Sequence, residues 1–355
     1  MGSKEQKLIK AIVDVKFLDH FRNQNINLND LDSTITYLNL RKFFDSNDNV
    51  DFLFAENGIK ATCDEIKTFL KDKDSRLPQF KEKSCPKYKY HPYYNFSELK
   101  EAYLLLLTSF NDQQIEKIRV NHGIFITNSD QYLNDWAKLN ILPRGYGDEI
   151  IDENFKWEII GNYAYCCDHI VMQMPYLSTW FKNVLYDNFS YLINAVLGEE
   201  KGVKKHLLIF TWYDQLENQN KKGRLTLKQF YEEINQILKG KNIELSLIGF
   251  DEKAFKTTYP NNYFEQLNFI KEVIHPRYIF TNYRFYNSDA EWNYDRNGRF
   301  VHTGQIHVLS NITEIQNRVA QLSKIRELKE LLFSKPFSDF TYVYGNSSAN
   351  RLIEN

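Results

Sequence analysis

From about residue 155 onward, strand-length apolar runs alternate with segments of helical periodicity, and this alternation most narrows the fold. His206 to Tyr213 (HLLIFTWY) and Ile243 to Gly249 are aliphatic and aromatic runs of the kind that fills a buried strand. Tyr163 to Met174 is a third such run, ending at Pro175-Tyr176. Between them lie Leu177 to Leu197, stopped by Gly198, and a helix to Leu238 that the Thr226-Leu227-Lys228-Gln229 capping box opens and Gly240 ends. A helix over Asn262 to Ile274, a strand over His275 to Tyr283, two short strands around Gly304 and a helix over Asn311 to Phe333 complete the series. Such alternation predicts an α/β fold, with a largely parallel sheet flanked by helices. Ligands of these sheets bind in the crevice at the strand ends.

Residues 1–150 follow a less regular pattern and read as a separate mixed α+β domain, since a chain of 355 residues is long enough for two. Ile9 to Val15 predicts a strand, and Thr62-Cys63-Asp64-Glu65 a capping box that opens a short helix. Ser97 is expected to cap a helix running to about Phe110, with a second helix stopping near Gly123. Gly123 to Asn128 reads as a strand and Ser129 to Leu139 as a helix. Pro143, Gly145 and Gly147 put the boundary near residue 150, so that 151–355 form the second domain.

Composition removes several classes of function. Lys plus Arg number 45 against 46 Asp plus Glu, so no global basic surplus draws the chain to nucleic acid. Any such binding must come from a local patch. One segment fits: Arg76, Lys81, Lys83, Lys87 and Lys89 are interleaved with Tyr88, Tyr90 and further rings, a pattern suited to single-stranded nucleic acid. A solvated loop pinned by its tyrosines has the same composition. The four cysteines, at 63, 85, 166 and 167, have neither metal-ligand spacing nor the layout of a disulfide framework. No metal or cofactor is expected, and reduced thiols fit a cytoplasmic protein. The longest apolar run, Ala102 to Phe110, is about half the length of a membrane span. Asp14, Glu56, Asp64 and Glu65 lack the spacing of a carboxylate nuclease and read better as helix-terminus residues.

The segment richest in chemistry is His275-Pro276-Arg277-Tyr278-Ile279-Phe280-Thr281-Asn282. On an extended strand His275 and Arg277 would share a face. An imidazole serves as nucleophile or acid/base, and a guanidinium fork matches phosphate oxygens. The spacing resembles the H-x-K-x-x-x-x-D motif of the phospholipase D-like superfamily, with Arg for Lys and Asn for Asp. Its H-x-R start is most similar to the membrane-binding C-terminal domain associated with microtubule-interacting-and-transport domains, and to bacterial relatives of that domain. Element order over 155–335 and the Pro175-Tyr176 turn carry the same resemblance. Asn121 to Asn128 faintly echoes His275 to Asn282 through the shared Thr-Asn end.

The resemblance implies the following chemistry. Two motifs meet in the family, one His attacking phosphorus and the other protonating the leaving oxygen. His275 would be the nucleophile, Arg277 the phosphate clamp and Asn282 the residue in the acidic position. Ser288 and Asn293 are the candidate phosphate donors in place of the family's Gly-Ser-x-Asn. With one recognisable motif, a two-histidine site would need a homodimer or a partner subunit. Three functions stay open: a metal-independent phosphodiesterase or nuclease, a silent phosphate-binding module that recognises nucleic acid or an anionic ligand through the same pocket, and an interaction or scaffold subunit for a partner protein or anionic lipid. The exchanges at Arg277 and Asn282 favour the silent module over the enzyme. Stand-alone bacterial proteins with such degenerate sites resemble components of antiviral defence. The final helix aligns Ile312, Ile315, Val319, Leu322, Ile325, Leu328 and Leu332 on one stripe, for the core or for a dimer seam.

Overall fold

A computed structural model describes residues 8–24, 27, 29–46, 49–56, 59–60, 102–152, 155–177, 182, 185–197, 202–215, 224–289 and 304–354. The fold is α/β, with a parallel sheet, a mixed sheet and flanking helices. Two compact units make up the chain: Met1–Tyr146 with Ile312–Gln316, and Gly147–Asn311 with Asn317–Asn355.

The first unit holds β1 (Ile9–Asp14), β2 (Val50–Glu56), β3 (Ile59–Lys60), β4 (Leu104–Thr108) and β5 (Phe125–Asn128), in the order β3-β2-β1-β4-β5. All neighbours are parallel except the β2–β3 pair, so the described residues of this unit form an α/β layer. Of the helix expected from Ser97 to Phe110, residues 97–101 lie outside the described residues, as does the helix expected after the Thr62 box, and Leu104–Thr108 is a strand buried at every residue. An unbroken apolar run suits a central parallel strand, covered on both faces; a helix there would leave no polar side for water. One face packs Ile12, Leu104, Leu106 and Ile126 against Ile115 and Phe110. On the opposite face Phe125 meets Trp136, which also contacts Phe43. The helix Asp112–His122 is framed by local chemistry: Asn111 and Gln114 form a reciprocal capping box, and Gly123, at φ 60°, donates its N–H to the Arg119 carbonyl.

The second unit holds β6 (Tyr146–Ile151), β7 (His169–Gln173), β8 (Lys205–Trp212), β9 (Ile243–Phe250), β10 (Tyr278–Thr281), β11 (Arg284–Ser288), β12 (Gly304–Ser310) and β13 (Thr341–Tyr344). Their order is β13-β9-β8-β7-β10-β11-β12-β6. Strands β7, β8 and β9 are parallel, while β10, β11, β12 and β13 join antiparallel. The expected parallel core is therefore three strands wide. The strands read at His206 to Tyr213, Ile243 to Gly249 and His275 to Tyr283 share this sheet as β8, β9 and β10, with β7 inserted between β8 and β10.

The Thr226 box forms as read: Gln229 N–H donates to Thr226 Oγ1 at 3.3 Å and Thr226 N–H to Gln229 Oε1 at 2.8 Å. The helix it starts, Leu227–Leu238, lies so close to β9 that a Cβ at Gly249 would sit 2.3 Å from Leu227. Within the predicted 177–197 helix, Leu185–Phe189 is π-helical and Ser190–Leu197 α-helical. The stripe on the helix Ile315–Phe333 is buried at Ile315, Leu322, Ile325, Leu328 and Leu332, which accounts for it as core. Cys166 and Cys167 are buried free thiols. Among the described residues no helix is long and apolar enough to cross a membrane.

Candidate functional site

Parallel β7, β8 and β9 end at Gln173, Trp212 and Phe250, and antiparallel β10 begins at that same carboxyl edge. His275 and Arg277 therefore stand where α/β sheets take their ligands. They do not stand on a strand. His275 is the last residue of helical geometry after Phe264–Ile274, at φ −63° and ψ −35°, with its N–H donated to the Lys271 carbonyl. Pro276 lacks the N–H needed to extend that ladder, and the strand starts only at Tyr278.

Tyr176, in the turn after β7, brings the two together. Its hydroxyl is 3.5 Å from His275 Nδ1, and the two rings are nearly perpendicular at 6.1 Å between centroids. The Arg277 guanidinium lies over the Tyr176 ring, 5.8 Å from its centroid. One Nη of Arg277 donates to the Asp289 carbonyl at 3.4 Å, while its Nε is buried with no partner among the described residues. His275 is exposed and Arg277 half-buried. Beneath them Gln173, also buried, donates its amide to the Val273 carbonyl and ties β7 to the helix that presents His275. A cation held against an aromatic face, beside an accessible imidazole, is a geometry for an anionic group.

Ser288 joins this edge: its N–H donates to the Arg277 carbonyl at 3.2 Å, though the side chain is buried. Asn282 does not join it. It follows β10 at the opposite, amino edge, where its Oδ1 accepts the N–H groups of Asp168 and His169 at 3.0 Å each. The motif spans the sheet, so the residue in the acidic position caps the start of β7 instead of backing His275. Burial alone would raise the Asp168 pKa, but hydrogen bonding and charge from His169, with Arg351 and Asn282 behind them, hold it below the ordinary carboxylate value. Asn293, Arg76, Lys81, Lys83, Lys87, Lys89, Tyr88 and Tyr90 lie outside the described residues. Sequence alone does not single out Tyr176 or Gln173 as site residues; for the first, the Pro-Tyr turn that closes a buried strand is the available signal.

The first unit has its own switch point, between β1 and β4. There Asp14 accepts Lys16 N–H at 2.9 Å and the Ser109 hydroxyl at 2.8 Å. Next to it Asn128 donates to Asp112 at 2.9 Å and to the Phe110 carbonyl at 3.0 Å. These groups cap helices and turns, and among the described residues no cluster of three or more His, Cys, Asp or Glu could hold a metal ion.

No family model matches the chain, and no curated protein matches it. Among solved structures it is similar to the crystal structure of phosphatidylserine synthase from Haemophilus influenzae Rd KW20, at 10% identity and a TM-score of 0.30. That match covers 67% of this chain and 48% of the other, so the chain spans about half of that protein's length. A likeness of this size defines neither family nor activity.

Proposed function

We propose that the chain is a phosphate-recognising protein of the phospholipase D-like kind, with Arg277 as the clamp and His275 beside it. One observation carries the reading: a half-buried guanidinium on the Tyr176 ring keeps an unpartnered Nε next to an exposed imidazole at a carboxyl edge. A second histidine for two-step phosphoryl transfer is not at that edge among the described residues. His169 and His206 sit at the amino edge, and His307 pairs with Asp148 on the β6 side. We read the described edge as a binding site, with a second imidazole for turnover to come from a second copy, a partner or the chain's own His91 or His302, which lie outside the described residues. The ligand class is a phosphodiester, with nucleic acid favoured by the basic, tyrosine-rich 76–94 segment. Membership of a bacterial defence system is a further reading that rests only on the sequence resemblance.

The test is fluorescence anisotropy with a labelled single-stranded oligonucleotide, beside co-sedimentation with anionic vesicles. Arg277→Ala removes a charge-assisted contact of about 1.5–3 kcal/mol and should weaken oligonucleotide binding roughly 10- to 150-fold. Equal affinity for oligonucleotide in the parent and Arg277→Ala would remove this edge from phosphate recognition. Retention on vesicles alone would favour the anionic-lipid alternative. Cleavage that survives His275→Ala but vanishes in chelator would move the chemistry to the first unit, where Asp14 lies at the switch point.

A further inference from the structure

The amino edge of β7 and β8 carries a polar cluster with no part in phosphate recognition. His169 and His206 are register partners on the two strands, and their rings lie 6.4 Å apart. Ser246 of β9 is 3.3 Å from His206 Nε2. Residues 346–354 lie over this cluster. Asn346 presents its carbonyl to His206 Nε2 at 3.0 Å, and Ala349 presents its carbonyl to His169 Nε2 at 3.3 Å. Asn350 is fully buried and donates to the Ile170 and His206 carbonyls at 2.9 and 3.3 Å. Arg351 pairs with Asp168 at 2.5 Å, Lys329 donates to the Ser347 carbonyl at 2.9 Å, and Leu352 and Ile353 are buried beyond.

His206 is the vulnerable member. A carbonyl only accepts, so Nε2 carries the proton of the neutral ring and Nδ1 is bare. Nδ1 is buried and has no partner among the described residues. A second proton would enter a site with no acceptor. His169 differs, because its Nδ1 faces the Asp168 carboxylate at 2.5 Å. The charged groups around His206 do not compensate. Lys204, just before β8, and Lys205, its first residue, precede His206, and Arg351 of the overlying segment contacts His169 at 3.5 Å and pairs with Asp168. Asp168 is engaged by His169 and Arg351, and Glu244 by Lys204 at 2.9 Å. Burial first, then the nearby His169, pushes the His206 pKa below its ordinary value.

We propose that residues 346–354 are a pH-sensitive latch, held on the amino edge of β7 and β8 by neutral His206 and released when that ring must take a proton. Opening frees the ring to protonate in water, near pH 6.5. The latched state is fully favoured above that pH. As the pH falls below it, latching weakens by roughly tenfold per unit for one proton taken up on opening, until the docked ring itself protonates. Release uncovers His169, Asp168 and the apolar floor beneath Leu352 and Ile353.

Hydrogen–deuterium exchange of the full chain tests this, with exchange times scaled to cancel the intrinsic pH dependence. Protection of the 346–354 peptide should be flat from pH 8 to 7 and fall below 6.5, while peptides from β8 and β9 keep theirs. His206→Gln retains an N–H for the Asn346 carbonyl and has no site for the extra proton, so its protection should not change with pH. PH-independent protection in the parent overturns the latch, as does an unaltered pH dependence in His206→Gln. Should that variant not fold, NMR of the parent chain decides. A His206 titration below 6.5, tracked by the Leu352 and Ile353 resonances, supports the latch; an ordinary titration that those resonances ignore refutes it.

Discussion

Replacing Asn282 with Ala separates a catalytic role from a structural one. Asn282 is 5% exposed and its Oδ1 is the acceptor for two backbone N–H groups, those of Asp168 and His169. Alanine orphans both donors at the start of a buried strand. Each buried, unpaired donor costs about 1–3 kcal/mol, so two together cost about 2–6 kcal/mol. The position is close to the sheet edge, and water entering the vacated space should hold the loss to about 2–4 kcal/mol. That is a large share of the roughly 5–15 kcal/mol that stabilises an ordinary domain. Equilibrium urea unfolding should show a lower midpoint at unchanged slope, and native-state exchange should show faster opening at the Asp168 and His169 amides. Oligonucleotide affinity under native conditions should stay within a few-fold. Asn282→Asp would keep the acceptor but set a second carboxylate beside Asp168, so it should also destabilise. A destabilisation below about 1 kcal/mol combined with lost binding or turnover would return Asn282 to the reactive site and refute the capping argument.

Three further outcomes follow from local geometry. Gly345 has φ +80°, and a Cβ there would lie 2.1 Å from the Leu245 carbonyl oxygen; Gly345→Ala should therefore loosen residues 346–354 at every pH, read as lost exchange protection at pH 7.5. Thr226→Ala deletes the oxygen that caps Leu227–Leu238 and should cost about 1 kcal/mol in urea unfolding, an unchanged midpoint arguing that the cap is redundant. Asp168, with its pKa held down in the folded state, contributes stability present above the ordinary carboxylate value of 3.8 and lost as pH falls through and below it; Asp168→Asn should be less stable at pH 7 and show a flatter acid limb in thermal melts.

What the sequence revealed and concealed follows from how local each signal is. The Thr226–Gln229 box, the Gly123 stop and the strands at Ile9, His206 and Ile243 are encoded within a few residues, and each forms within a residue or two of its expected bounds. Leu104–Thr108 misled because an apolar run carries no period; only its place between β1 and β5 makes it a strand. The H-x-R-x4-N spacing misled differently. Arg277 and Asn282 lie five residues apart, roughly 16 Å of extended chain, so a strand between them carries its two ends to opposite edges. Strand β13 was invisible because its partner, β9, is remote in sequence. Tyr176 emerged as a site residue only when β10 folded back against β7, a pairing that local spacing does not encode.

That late strand has a consequence for biogenesis. Thr341–Tyr344 pairs with Leu247–Phe250 and supplies the outer rail of the sheet. A nascent chain that has emerged as far as the helix Ile315–Phe333 therefore already has β9 in place with one rail of N–H and C=O groups still open. Such a rail is a template for neighbouring chains on a crowded polysome. Truncation before residue 341 should accordingly trade folded yield for inclusion bodies, and slow translation of residues 334–344 would lengthen the interval in which a chaperone has to cover that rail.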